Sequence, residues 1–139
     1  MRSFIIITVL SAFAACYSAA VLPREEEMVT IIYDDKSPNG TILSRADFNA
    51  RSHQGWVLLS ETNDFVPAVE GQVQSVGVFY RANFGVRIDR LVITTYGHLI
   101  PDVDRTPLGS NKMIVILTSR PGELIRSTIE TYKRDNISS

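Results

Sequence analysis

Along most of the chain apolar and polar residues alternate with a period of two, the spacing of strands with one face covered and one wet. Towards the C-terminus Val86 to Thr95, Met113 to Thr118 and Leu124 to Tyr132 predict successive strands. The last two are separated by Arg120-Pro-Gly-Glu123, where Pro121 presets φ and Gly122 accepts φ > 0, so a tight hairpin is expected between them. Met113 to Leu117 is apolar without a break, which asks for cover on both faces, so this strand is expected to be central. In the last strand Ile125 and Ile129 oppose Arg126, Thr128 and Glu130, and a half-solvated strand is expected. In Val86 to Thr95 the apolar phase changes over Asp89-Arg90, which predicts a β-bulge.

The same signals recur upstream. Met28 to Tyr33 and Thr41 to Leu43 flank the turn-rich Asp34-Asp-Lys-Ser-Pro-Asn-Gly40 and read as a first hairpin. Ser44-x-x-Asp47 resembles a capping box and predicts a short helix from Arg45 towards Gln54, stopped by Gly55. Trp56 to Leu59 predicts a buried strand with Trp56 as core anchor, ended by Glu61-Thr-Asn-Asp64; Phe65 to Val69 is extended, and Pro67 confines it to an edge. Gln72 to Tyr80 alternates, with Val76, Val78 and Tyr80 on one face, and Asn83-Phe-Gly85 turns the chain. The expectation is an all-β domain over residues 28–132, an antiparallel β-sandwich or barrel of six to eight short strands with one short helix. Its core is expected around Trp56, Val76, Val78, Ile88, Ile93, Val115, Leu117, Ile125 and Ile129.

The N-terminus departs from this pattern. Arg2, the apolar run Phe4 to Ala15 and the small-residue exit Cys16-Tyr-Ser-Ala-Ala20 have the grammar of a secretory signal peptide over residues 1–20. Secretion without a membrane anchor is therefore expected, with a charged arm at 21–27 and a polar tail at 133–139. A bacterial lipoprotein acylated at Cys16 is the competing reading of the same segment. Removing the segment takes away Arg2 and the lone cysteine, leaving 13 Lys and Arg against 15 Asp and Glu. Without disulfides the domain must hold itself by burial, and its balanced charge argues against direct nucleic-acid binding.

The inventory of reactive groups is small: two histidines, one cysteine inside the signal segment, and none of the common nucleophile, phosphate-loop or zinc motifs. His98, Asp102 and Asp104 on one loop could in principle gather a divalent cation, but ordinary loop polarity explains them as well. No catalytic, cofactor-binding or metal-ligating residue is assigned. Asn39-Gly-Thr41 and Asn136-Ile-Ser138 are sequons, so Asn39 and Asn136 are glycosylation candidates on a secreted chain. Tyr96 to Ser110 is the longest stretch without a strand pattern. It mixes prolines with Leu99, Ile100 and Val103 beside Asp102, Asp104 and Arg105, and is expected to be a partner-binding loop or a cap on the sandwich.

Val78 to Tyr80, Ile88 to Ile93 and Leu108 to Tyr132 resemble the multiprotein bridging factor 2 family of small insect proteins. The likeness covers Thr41 to Tyr132, with Gly109 at the glycine-rich turn, Val115 and Leu117 in the strand, Ser119 and Gly122 in the connection and Tyr132 at the end. It implies either a secreted or salivary protein or a transcriptional coactivator bridging a nuclear receptor and the basal transcription machinery. With the signal peptide, the expectation is a secreted non-enzymatic binding or effector protein, a monomer or weak homo-oligomer, whose partner is a protein or small ligand. The coactivator is the alternative, and a metal-assisted hydrolase comes third.

Overall fold

The computed structural model describes residues 28–51, 53–97 and 100–135. The signal segment, the charged arm, His98, Leu99 and Asn136 lie outside the described residues. The chain forms β1 (Met28–Asp34), β2 (Ser37–Ser44), α1 (Arg45–Ala50), β3 (Trp56–Val66), β4 (Ser75–Arg81), β5 (Arg90–Tyr96), β6 (Asp102–Arg105), β7 (Lys112–Thr118) and β8 (Ile125–Arg134). Every strand pairing is antiparallel. One sheet has five strands in the order β2-β1-β5-β8-β3, the other has three in the order β4-β7-β6. The all-β sandwich expected from the alternation is the observed fold.

The core lies between the sheets. Leu91, Ile93, Ile125 and Ile129 from the larger sheet meet Met113, Val115 and Leu117 from the smaller one, with Ile88 beside them. Val76, Val78 and Tyr80 pack against this cluster from β4, as their shared parity predicts. A second, smaller cluster sits on the far side of the larger sheet, where Phe48 of α1 covers Ile32 and Val92. Ser44 caps α1 by accepting from the Asp47 N–H at 3.0 Å, so the capping signal is real, but the helix ends at Ala50.

Several expectations are corrected. The turn at Arg120–Glu123 forms, with Glu123 N–H donating to Arg120 O at 3.1 Å and Gly122 at φ +80°, yet β7 and β8 belong to different sheets, so the turn crosses the sandwich and closes no hairpin. The last strand is not half-solvated: β8 is an inner strand of the larger sheet, and Thr128 and Glu130 are buried on the face expected to be wet. β7 is central as expected, but its second face is open, with Ile114 and Ile116 exposed. Trp56 is no core anchor. β3 is an edge strand of eleven residues that runs through Glu61–Asp64, and an irregularity between Leu58 and Ser60 shifts its phase, so that Val57 and Leu58 are exposed and Trp56 lies on the outer face. The phase change near Asp89-Arg90 marks the start of β5 rather than a bulge within a longer strand; upstream of it Ile88 pairs instead with Gly109 and Ser110. The first hairpin turns over Asp35-Lys36 alone, because the Asp34 carboxylate accepts from the N–H groups of Lys36 and Ser37 at 3.0 and 2.9 Å. Gly40 then enters β2 at φ +92°, where a Cβ would come within 2.9 Å of the Tyr33 ring.

Candidate functional site

The expected recognition loop is in part a strand. Pro101 and Pro107 bracket β6, which pairs Asp102, Val103, Asp104 and Arg105 with Thr118, Leu117, Ile116 and Val115. The alternation was present in the sequence: Val103 packs on the core, and Asp102 and Asp104 face solvent. Two prolines so close together disguise it as loop. Arg105 turns inward, its guanidinium 4.4 Å from the centre of the Tyr33 ring and donating to Pro38 O at 2.7 Å. Ile100 is half-buried, and Asn39 is exposed on edge strand β2. Among the described residues no group of three or more His, Cys, Asp or Glu could hold a metal ion.

The outer face of the larger sheet carries most of the buried charge. Arg45, at the start of α1, lies 3.2 Å from Glu130 and donates to the Thr94 hydroxyl at 2.8 Å. Tyr132 donates to the other oxygen of Glu130 at 3.3 Å. Burial, then the charge on Glu130, pushes the Tyr132 phenol up to about 12. Arg90 pairs with Asp34 at 3.4 Å; burial lowers its pKa and Asp34 opposes the shift. The guanidiniums of Arg90 and Arg134 lie 4.3 and 4.4 Å from the centre of the Trp56 ring, so the tryptophan serves as a platform for cations. His53 is half-buried against Phe48, with ring centres 4.3 Å apart.

Among the described residues two hollows stand out on the surface. The larger, about 350 Å³, includes Asp34, Asp35, Arg87, Asp89 and Arg105 in its lining. Its charges are already matched: Arg90 with Asp34, Arg134 with Asp35 at 2.7 Å, and Arg87 with Asp89 at 2.8 Å. Arg105 is held by the carbonyls of Pro38 and Thr106. Such a network fastens the turns at that end and leaves little unpaired polarity for a ligand.

The smaller hollow, about 220 Å³, differs in this respect. Asp64, Tyr96, Arg126 and Ser127 are among its lining residues, and the Arg126 guanidinium lies 4.8 Å from the centre of the Tyr96 ring. Strand register places Thr95, Ser127 and Asp64 in one row across β5, β8 and β3, on the face shared with Ile93 and Ile129. Thr95 and Ser127 are each only 2% exposed. Asp64 Oδ2, Thr95 Oγ1 and Ser127 Oγ are buried without a hydrogen-bond partner. Burial alone raises the Asp64 pKa, with no donor to offset it. Buried polar atoms are almost always paired, so three orphans in adjacent places mark a point where the fold sacrifices stability. In sequence Asp64 reads as a turn former, and Thr95 and Ser127 as ordinary strand residues. Only the pairing register unites them.

No protein-family model matches the chain, and neither does any curated protein or solved structure. Among the described residues no helix is long and apolar enough to cross a membrane.

Proposed function

We propose that the protein is a secreted, non-enzymatic binding protein that takes a small, polar, donor-bearing ligand where Asp64, Ser127 and Thr95 meet. The observation that carries this reading is the row of three buried oxygens without partners beside an open hollow. A carboxylate and two hydroxyls offer acceptors from three adjacent strands, the complement of a primary ammonium or amide group. The Tyr96 ring and its stacked Arg126 form a flat wall of the same hollow. The signal-peptide grammar of residues 1–20 supports secretion, and the resemblance to multiprotein bridging factor 2, resting on turn and packing positions, suits a binding role without catalysis.

The test is ligand-induced thermal stabilisation with a panel of small primary amines and amides, set against carboxylates of similar size. Amines or amides should raise the melting temperature of the wild type, and Asp64→Asn should remove the effect of the amines. If no compound in the panel shifts the wild type, or if Asp64→Asn responds to amines unchanged, the reading fails. Secretion is tested separately, by N-terminal sequencing of exported protein, with Ala19 or Val21 expected as the first residue.

A further inference from the structure

Among the described residues nothing covers the outer face of the three-stranded sheet. Phe79 is 61% exposed, Ile114 41% and Ile116 39%. Register places them side by side, Phe79 opposite Ile114 and Gly77 opposite Ile116. The unbroken apolar run of β7 is the composition of a strand buried on both faces, and one copy of the chain buries only one.

Gly77 is the second observation. It has no positive φ, and a Cβ there would meet only Ile116 Cγ1, at an ordinary 4.0 Å. Glycine weakens a strand interior and usually marks a bulge or a close approach by another group. The β4–β7 register runs unbroken through Gly77, and among the described residues no side chain other than Ile116 comes near it.

Charge supplies the third. Arg81 and Lys112 pair at one end of the face, while Asp102 and Asp104 stand at the other, opposite Thr118 and Ile116. Among the described residues none of these four side chains makes an ion pair with another.

The geometry points to a second copy of this chain as the occupant of this face, docked about a two-fold axis that lies in the face and crosses the strands. That operation exchanges the ends of the sheet. Phe79 of each copy falls on Gly77 of the other, Ile114 on Ile116, and Lys112 on Thr118 beside Asp102. A protruding ring meets the position that lacks a side chain, and the basic end meets the acidic end. An unrelated partner would need neither match to be internal to one face. Three strands of up to seven residues give a footprint of roughly 14 by 24 Å. That is well below the roughly 800 Å² per partner of a standard interface, so the dimer belongs to the weak, transient class.

Sedimentation velocity of the full exported chain, from about 1 to about 300 µM, tests the proposal. The wild type should pass from monomer to dimer within that range. Gly77→Val should weaken association by about tenfold or more, while its melting temperature in dilute solution stays at or above the wild-type value, because the monomer has room for the side chain. Lys112→Glu should weaken association by several-fold, and Lys112→Glu with Asp102→Lys should recover most of the loss. A wild type that remains monomeric throughout, a dimer indifferent to Gly77→Val, or a double exchange that recovers nothing would each overturn this assignment. None of these residues lines the Asp64 hollow, so the amine titration and the sedimentation experiment fail independently.

Discussion

The two sheets turn very different outer faces to the surroundings. On the larger one, α1 and a set of paired charges close the surface: Phe48 covers Ile32 and Val92, and Glu130, only 6% exposed, is held by Arg45 and Tyr132. On the smaller one, Phe79, Ile114 and Ile116 stand open, with none of the described elements over them. The comparison separates burial that the chain provides for itself from burial left to another molecule. Substitutions on the first should register in the stability of the isolated chain, and substitutions on the second should register only in association.

The largest effect belongs to neither outer face but to the core that both sheets share. Val115, 1% exposed, lies between them, and Val115→Asp places an unpaired carboxyl there. The cost of several kcal/mol approaches a domain's whole stability of about 5–15 kcal/mol. Loss of the cooperative unfolding transition in circular dichroism is expected. Arg45→Ala comes next: it leaves Glu130 buried with only the Tyr132 hydroxyl, and a loss of about 3 kcal/mol is expected in chemical denaturation. The contrasting change is Ile114→Thr on the open face. In dilute solution it should move stability by no more than about 0.5 kcal/mol, since the side chain is exposed. An effect as large as that of Arg45→Ala would mean that the face is covered within the chain, and the contrast would be lost.

A smaller and opposite effect is expected at Asp64. Burial raises its carboxyl pKa in the folded state, so the fold holds that proton more tightly than the unfolded chain does. By linkage, stability falls as pH rises from the unfolded value of about 4 up to the raised folded value, and is level above it. Asp64→Asn should flatten that slope and stabilise the protein near neutral pH by about 1 kcal/mol, a modest figure because the group is only half-buried. Denaturation midpoints at pH 4 and pH 7 measure both.

What the sequence made legible was local. Alternation over Gln72 to Tyr80 correctly divides Val76, Val78 and Tyr80 from the outer residues, and Ser44-x-x-Asp47 correctly starts a helix. What it could not show was which sheet a strand joins. Arg120-Pro-Gly-Glu123 is the same turn whether the chain folds back beside itself or crosses to the opposite layer, and the choice is made by Ile125 and Ile129 packing across the core. Trp56 was misplaced because a one-residue irregularity near Leu59 reverses which side chains face inward, and nothing in the local residue types announces it. The site was less legible still. Asp64, Thr95 and Ser127 come from three strands far apart in the chain and share nothing until β8 has paired on both sides.

The edges of the sheets bear on what happens when the protein is concentrated. Three of the four outermost strands are interrupted: β2 carries Pro38, β3 breaks register near Leu59 and stops before Pro67, and β6 is four residues long between Pro101 and Pro107. A foreign strand arriving at β2 or β6 finds few consecutive partners for its backbone, so growth by strand addition, which has no natural end, is hindered at those two edges. Contact through a two-fold face uses up the surface that made it and stops at two.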